Sequence, residues 1–300
     1  MLQSLIDEIC RRSPLQAKVL APFLAAVPDQ YWQRGNDFVR RYDSYLRSIG
    51  LDLHYAAEAY LQLCTEILNA TVAFRRSGHY ACPCQNDAYR DVYSQEKTMR
   101  DYMVALAVTQ FLWKNHYAMY ACFWDLLAAR GSGVRDYLEI GPGHGAYLAA
   151  AMQALPARRF TVLDLSPTSL RLCQESLPFL VDSPPTEIAW REQDALAMPD
   201  DCQFDWITMG EVLEHLDDPR PILHKIRRSL RPNGIAFITT CANCPTKDHV
   251  YLFRNAVEIR ELIESCGLAV DEELALRLDP SAPPSRHDLV NYAAVVRVRG

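Results

Sequence analysis

Three hundred residues, 49% of them hydrophobic, suffice for one large domain or two small ones around a substantial core. The formal net charge of −6 is unevenly spread: residues 1–130 carry 14 Lys and Arg against 13 Asp and Glu, whereas residues 131–300 carry 17 against 24. The acidic second part argues against a phosphate-backbone partner and suits a small or cationic ligand.

Ten cysteines scattered along the chain do not read as a secreted disulfide framework. Asp7 and Glu8 precede Arg11 and Arg12, the reverse of signal-peptide order, and the apolar run 19–27 contains proline and is too short to span a bilayer. The expectation is a cytoplasmic protein acting on a small-molecule acceptor, with no nucleic-acid or membrane partner and a homodimer as the assembly to test.

From the N-terminus to residue 130 the apolar residues recur at three and four. Leu2, Leu5, Ile6 and Ile9 form one face, and Leu53, Ala57, Tyr60, Leu61, Cys64 and Leu68 form another. Proline and glycine at 14, 22, 28, 35, 50, 78 and 83 divide this all-helical part into five or six helices. Cys82 and Cys84 near His79, like Cys241 and Cys244 later, have no partner pair at zinc-finger spacing and read as small apolar filler near turns. Residues 102–127 are apolar nearly all round, which predicts a buried helix; the alternative is a substrate-pocket wall with His116, Tyr117 and Tyr120 as its polar points.

After Gly131-Ser132-Gly133 the pattern changes to short β-rich runs at 135–140, 160–165, 187–192, 204–209, 235–240, 268–276 and 289–298, with helical stretches between most of them. Seven such strands predict an α/β fold, an open doubly wound sheet that binds ligands at the carboxyl ends of its strands. The first strand runs into Glu139-Ile140-Gly141-Pro142-Gly143-His144-Gly145, and a strong helix former, Ala146 onward, follows. A glycine turn between a strand and a helix N-terminus is a nucleotide-type pocket, and Gly141-x-Gly143-x-x-Ala146 also satisfies the dinucleotide fingerprint. Glu139 tilts the reading, because a carboxylate at the mouth of the loop repels a pyrophosphate and attracts a cation.

These residues resemble motif I of the class I S-adenosylmethionine-dependent methyltransferases, Glu/Asp-x-Gly-x-Gly-x-Gly, whose cofactor carries an ammonium and a sulfonium and no phosphate. The resemblance covers residues 135–298. It implies a Rossmann-like seven-stranded sheet with an antiparallel last strand, here behind an N-terminal all-helical domain. It also implies a cofactor site of Glu139, Gly141, Gly143 and Gly145, with Asp164 accepting the ribose hydroxyls and Leu165 packing on adenine or ribose. Asp194 would meet the adenine amino group beside the Ala195 amide, and Met209 and Gly210 would run under the methionine part. Asp164 has a second reading as a helix cap before Ser166-Pro167.

Residues 204–219 resemble motif IV, and Glu211, Glu214 and His215 fall at i, i+3 and i+4, one face if helical. Three readings stay open: a solvated helix start favoured by the macrodipole, a general base at His215, or a divalent-metal site. The last rests on similarity to ubiquinone-biosynthesis and small-RNA 2′-O-methyltransferases, in which acids and histidine hold magnesium near the acceptor hydroxyl. His249, with Asp248 beside it, is the candidate fourth ligand, and oxygen-rich sites suit magnesium or manganese. The catalytic candidates are therefore His215, Glu211 and His249, and the metal candidates Glu211, Glu214, His215 and His249, with His144 a weaker addition.

The resulting expectation is an O-methyltransferase of specialised metabolism acting on a small organic acceptor, with residues 1–130 covering the site and residues 131–300 holding the cofactor. Two other readings fit the same residues: an NAD(P)-dependent oxidoreductase using the glycine loop, and a non-catalytic cofactor-binding regulatory protein.

Overall fold

The computed structural model describes residues 1–185, 187–200, 203–281, 283, 285 and 287–300. Among the described residues the first part is helical: α1 (Leu2–Arg12), α2 (Pro14–Leu24), α3 (Asp29–Ser48), α4 (Leu53–Ser77), the short α5 (Gln85–Ala88) running on into a π-helical turn (Tyr89–Tyr93), α6 (Glu96–Leu112) and α7 (Lys114–Arg130). Local chemistry sets several ends. The side chain of Ser13 accepts from the Gln16 amide ahead of α2, and that of Asp52 accepts from the Tyr55 amide ahead of α4. Gly78 closes α4 at φ 77°, a left-handed position suited to glycine.

The predicted helix over residues 102–127 is two helices, because Trp113 takes extended angles (φ −107°, ψ 121°) between α6 and α7. Its indole donates to the Tyr60 hydroxyl at 3.2 Å and its ring meets His116 at 4.7 Å, so an aromatic anchor turns the chain. That break, and the short α5, account for there being more than the five or six helices read from the sequence.

The strands are β1 (Asp136–Ile140), β2 (Arg159–Asp164), β3 (Ile188–Glu192), β4 (Phe204–Gly210), β5 (Leu230–Ala242), β6 (Leu268–Arg277) and β7 (Val290–Val298). All but β5 lie within one residue of the predicted limits at either end. β5 starts early: Pro232, Asn233 (φ 68°) and Gly234, which read as a turn, form an irregularity within the strand. The order is β3-β2-β1-β4-β5-β7-β6, with β7 antiparallel to both neighbours and the other pairings parallel. Strand order reverses between β1 and β4, so a crevice opens at their carboxyl ends.

Alternation along β1 sends Tyr137 to one face of the sheet and Leu138 and Ile140 to the other, each into its own apolar cluster. The second face is covered by α10 (Arg220–Ser229) and α11 (Ala256–Ser265). On the first face a single cluster runs from Leu2 in α1, through α8 (Ala146–Ala154) and α9 (Pro167–Leu180), to Val295 in β7. The N-terminal helices therefore share a core with the sheet. Phe123 of α7 joins them, with ring contacts to Tyr147 (5.0 Å), Phe237 (5.0 Å) and Trp206 (6.1 Å). No helix among the described residues is long and apolar enough to cross a membrane.

Replacing the fully buried Phe123 by Ala should cost about 3–5 kcal/mol in chemical denaturation. A loss below about 1 kcal/mol would contradict a core shared between helices and sheet.

Candidate functional site

A cavity of about 510 Å³ lies over the carboxyl ends of β1 to β5. On the sheet side it is lined by Glu139, Gly141, Gly143, Asp164, Leu165, Asp194, Ala195 and Gly210; Glu211, His215 and His249 line it further on. Met99, Tyr102, Met103, Leu106, Gln110, Trp113, His116 and Met119 come from the helical part. Two of the cofactor-site candidates are elsewhere. Met209 is fully buried in the cluster on the opposite face, because its neighbour Gly210, one residue along the strand, takes the cavity side. Gly145 is not at the wall: at φ 75°, a Cβ there would sit 3.0 Å from Cys173 Sγ, so its role is close packing of α8 on α9. Gly143 (φ 51°) does line the cavity, and a Cβ there would come 3.3 Å from Met103 Sδ.

Glu139 is 2% exposed and accepts from the Tyr137 hydroxyl two residues back on the same face. Burial pushes its pKa up to about 8, only partly offset by the Tyr137 hydroxyl and the Leu148 amide. Asp164 is pushed up to about 6 by burial against the hydrogen bonds of Ser169 and of the Ser166 and Leu165 amides. Its oxygens accept from the Ser166 amide (2.8 Å) and the Ser169 hydroxyl (2.7 Å), while Ser166 itself caps α9. Asp164 therefore lines the cavity and braces the helix start, but the N-cap itself is Ser166 and not Asp164. Asp194 is exposed, accepts from the Leu196 amide at 2.9 Å and caps the single turn Ala195–Ala197. Leu165 and Leu196, each 44% exposed, stand beside the two acids on the cavity wall; Leu196 was not among the sequence candidates.

The stretch from Glu211 to His215 is not an α-helix. Glu211 takes φ 52°, Leu213–His215 form one 3-10 turn, and α10 begins only at Arg220, after Pro219. The side chains consequently diverge. Glu214 is fully buried towards β5, where Thr240 donates to it at 2.7 Å and the Cys241 thiol lies 3.9 Å away. His215 lines the cavity with Nδ1 2.7 Å from the Tyr93 hydroxyl and 3.1 Å from the Asp248 carbonyl oxygen. His249 stands against it, ring centroids 4.8 Å apart, and its Nδ1 lies 2.6 Å from the Cys244 carbonyl. Burial pushes His249 down to about 3 and raises both Glu211 and Glu214. Burial would also raise Asp248, but His215, His249 and the hydroxyls of Thr246 and Tyr93 outweigh it and hold the group below the usual range.

The metal quartet read from the sequence does not close on one point. Among the described residues two triads have ligand atoms within 4.8 Å of one another, Glu214–Cys241–His249 and His215–Asp248–His249, and neither contains Glu211. Glu211 Oε1 is nevertheless buried without a hydrogen-bond partner. The triads bring in Cys241, which the spacing did not reveal, and Asp248, named in the sequence only as the neighbour of His249.

The pocket-wall alternative for residues 102–127 holds for His116 but not for Tyr117 or Tyr120, which pack among Tyr31, Phe111 and Tyr147 instead. His144 lines the cavity too, pushed down to about 4 by burial, with Gln110 at 3.3 Å. Also missed from the sequence are Tyr93 and Tyr102, whose hydroxyls lie 3.0 Å and 3.4 Å from the Asp248 carboxylate.

Residues 138–236 match a family described as a methyltransferase domain. Among curated proteins the chain is 36% identical over 108 residues to a ubiquinone biosynthesis O-methyltransferase of Paracidovorax citrulli, covering 35% of this chain and 43% of that protein. A namesake from Xanthomonas campestris pv. campestris is 32% identical over 123 residues, 40% of this chain and 49% of that one. The chain spans about half the length of the curated relatives it matches. Among solved structures, the mitomycin 7-O-methyltransferase MmcR superposes with a TM-score of 0.54 at 17% identity, over 82% of this chain and 70% of that one. A magnesium protoporphyrin IX methyltransferase from Synechocystis PCC 6803 gives 0.52 at 13%, over 72% and 99%. At these identities the likeness is one of fold. The matched segment carries the glycine bend, both strand-end acids and the turn at His215, and the seven-stranded order described above is the Rossmann-like methyltransferase fold.

Proposed function

We propose that this chain transfers the methyl group of S-adenosylmethionine to a hydroxyl oxygen of a small, largely apolar organic acceptor. The observation that carries the reading is one cavity with two chemically distinct ends: carboxylates and glycine backbone at the first, imidazoles and tyrosine hydroxyls at the second. Its size falls in the range of small-molecule sites.

At the cofactor end Glu139 faces the ammonium, Asp164 the ribose hydroxyls, and Asp194 with the Ala195 amide the adenine edge, while Leu165 and Leu196 flank the ring. Gly141, Gly143 and Gly210 let the backbone approach. At the acceptor end His215 takes the hydroxyl proton while the oxygen attacks the methyl carbon in line, breaking its bond to sulfur and releasing S-adenosylhomocysteine. Alignment of the two reactants is the main contribution, worth up to about 7–11 kcal/mol in favourable cases. Met99, Met103, Leu106 and Met119, from the helices, wall the cavity and exclude water. Residues 1–130 are accordingly assigned as the substrate-covering part and 131–300 as the cofactor domain.

A divalent cation held by Glu214, His249 and their neighbours would supply Lewis-acid activation of the hydroxyl. The oxygen acceptor is supported by the name of the curated relatives, which comes from quinone biosynthesis; an acceptor in specialised metabolism is not carried forward. A phosphorylated dinucleotide would bring its charge beside Glu139, which disfavours the oxidoreductase reading.

Three measurements test this. Labelled S-adenosylmethionine incubated with a panel of phenols, alcohols, amines and thiols should give methyl ethers; methylamines or thioethers alone, or no product, would contradict the reading. Replacing Asp164 by Ala should weaken S-adenosylhomocysteine binding by about 1.5–3 kcal/mol in calorimetry, and unchanged affinity would remove the residue from the ribose. Because Glu139 holds its proton up to about pH 8, a cationic ligand that ionises it must release that proton. Binding near neutral pH, repeated in buffers of different ionisation enthalpy, should show release approaching one proton, vanishing in Glu139→Gln and declining above pH 8; proton uptake would contradict the assignment.

A further inference from the structure

Asp248 is fully buried, and three hydroxyls surround its carboxylate: Thr246 Oγ1 donates to Oδ1 at 2.7 Å, Tyr102 to Oδ1 at 3.4 Å and Tyr93 to Oδ2 at 3.0 Å. The same Tyr93 oxygen lies 2.7 Å from His215 Nδ1. Nδ1 has two further neighbours, the Asp248 carbonyl oxygen at 3.1 Å and Asp248 Oδ2 at 3.5 Å. A carbonyl and a carboxylate can only accept. Tyr93 has one proton, and the ionised carboxylate is the stronger acceptor for it, so the tyrosine oxygen turns a lone pair towards the imidazole. Every neighbour of Nδ1 is then an acceptor, and the hydrogen must sit on Nδ1. The opposite tautomer would set the Nδ1 lone pair against the Asp248 carbonyl and leave Oδ2 without the tyrosine hydrogen bond.

We propose that Tyr93 and Asp248 are positioning residues that hold neutral His215 as its Nδ1–H tautomer, leaving Nε2 as the nitrogen that carries the free lone pair. The proposal deepens the methyltransferase reading and rests on it for its purpose, since accepting a hydroxyl proton and ligating a cation both need a lone pair at Nε2.

The backbone that delivers Tyr93 points the same way. Tyr93 ends the π-helical turn Tyr89–Tyr93, in which the Ser94 amide reaches back to the Tyr89 carbonyl at 2.8 Å. Such turns are rare and concentrate at functional sites. This strap is tied to the sheet domain at both ends. The Ser166 hydroxyl, two residues beyond Asp164, donates to the Tyr93 carbonyl at 2.9 Å, and the Gln85 amide donates to Asp217, two residues beyond His215, at 2.9 Å. One segment of the helical part thus spans the cavity from its cofactor end to its acceptor end.

The tautomer is readable without any acceptor. In chelator-treated protein labelled with ¹⁵N-histidine, at about pH 8, long-range proton–nitrogen correlation should give His215, assigned by its loss in His215→Gln, a protonated Nδ1 and an unprotonated Nε2. Tyr93→Phe, which keeps the ring and loses only the hydroxyl, should shift His215 towards the Nε2–H form. It should also lower kcat about 10–100-fold while leaving KM for S-adenosylmethionine and the melting temperature near wild type. Asp248→Asn should move the nitrogen pattern in the same direction. A wild-type Nε2–H pattern, or a Tyr93→Phe protein with unchanged pattern and unchanged kcat, would overturn the proposal. Failure to find a methyl acceptor would count against the function alone and leave the spectroscopic result to decide this one.

Discussion

The arrangement depends on one electrostatic constraint: a carboxyl group placed inside the protein at the end of the central strand. β1 is buried along its whole length, so its period-two alternation has to put Glu139 on the same face as Tyr137, against the helices. Among the described residues no cation accompanies it, and burial pushes its pKa up to about 8. Such a group is costly in a fold that never receives a positive ligand, and useful in one that does. The glycine bend beside it removes side chains where a ligand must pass, and the acids ending β2 and following β3 are spaced along the same crevice.

The acceptor end is built differently. Its residues come from three separated parts of the chain: Tyr93 and Tyr102 from the helices, Glu211 to His215 from the turn after β4, and Cys241 to His249 from the end of β5. None is adjacent to the others in sequence, and the strap from Gln85 to Tyr93 brings the first group over the second. On the proposed reading, specificity for the acceptor is a tertiary property of the helical part, whereas cofactor recognition is a local property of strand ends.

That difference explains what could be read in advance. Strand limits were legible because each strand is a short β-rich run bounded by turn residues, and the glycine bend because its spacing is contiguous. β5 was the exception, since Pro232-Asn233-Gly234 reads as a loop and instead forms an irregularity inside the strand. Residues 102–127 were legible as buried but not as broken, because the bend at Trp113 comes from partners in α4 and α7 rather than from a proline or glycine. Spacing placed Glu211, Glu214 and His215 on one helical face; the left-handed Glu211 and the turn that follows send them apart. Cys241 takes its place only through burial beside His249, which no local pattern announces, whereas Asp248 was legible as the sequence neighbour of His249.

The most direct test of the central claim is a crystal structure with S-adenosylhomocysteine. The account predicts the ligand's amino group at the Glu139 end of the glycine bend, its ribose on Asp164, its adenine between Leu165 and Leu196, and its sulfur facing the space beside His215. A ligand bound elsewhere, or one whose amino group points away from Glu139 with that carboxyl still sealed by Tyr137, would contradict it.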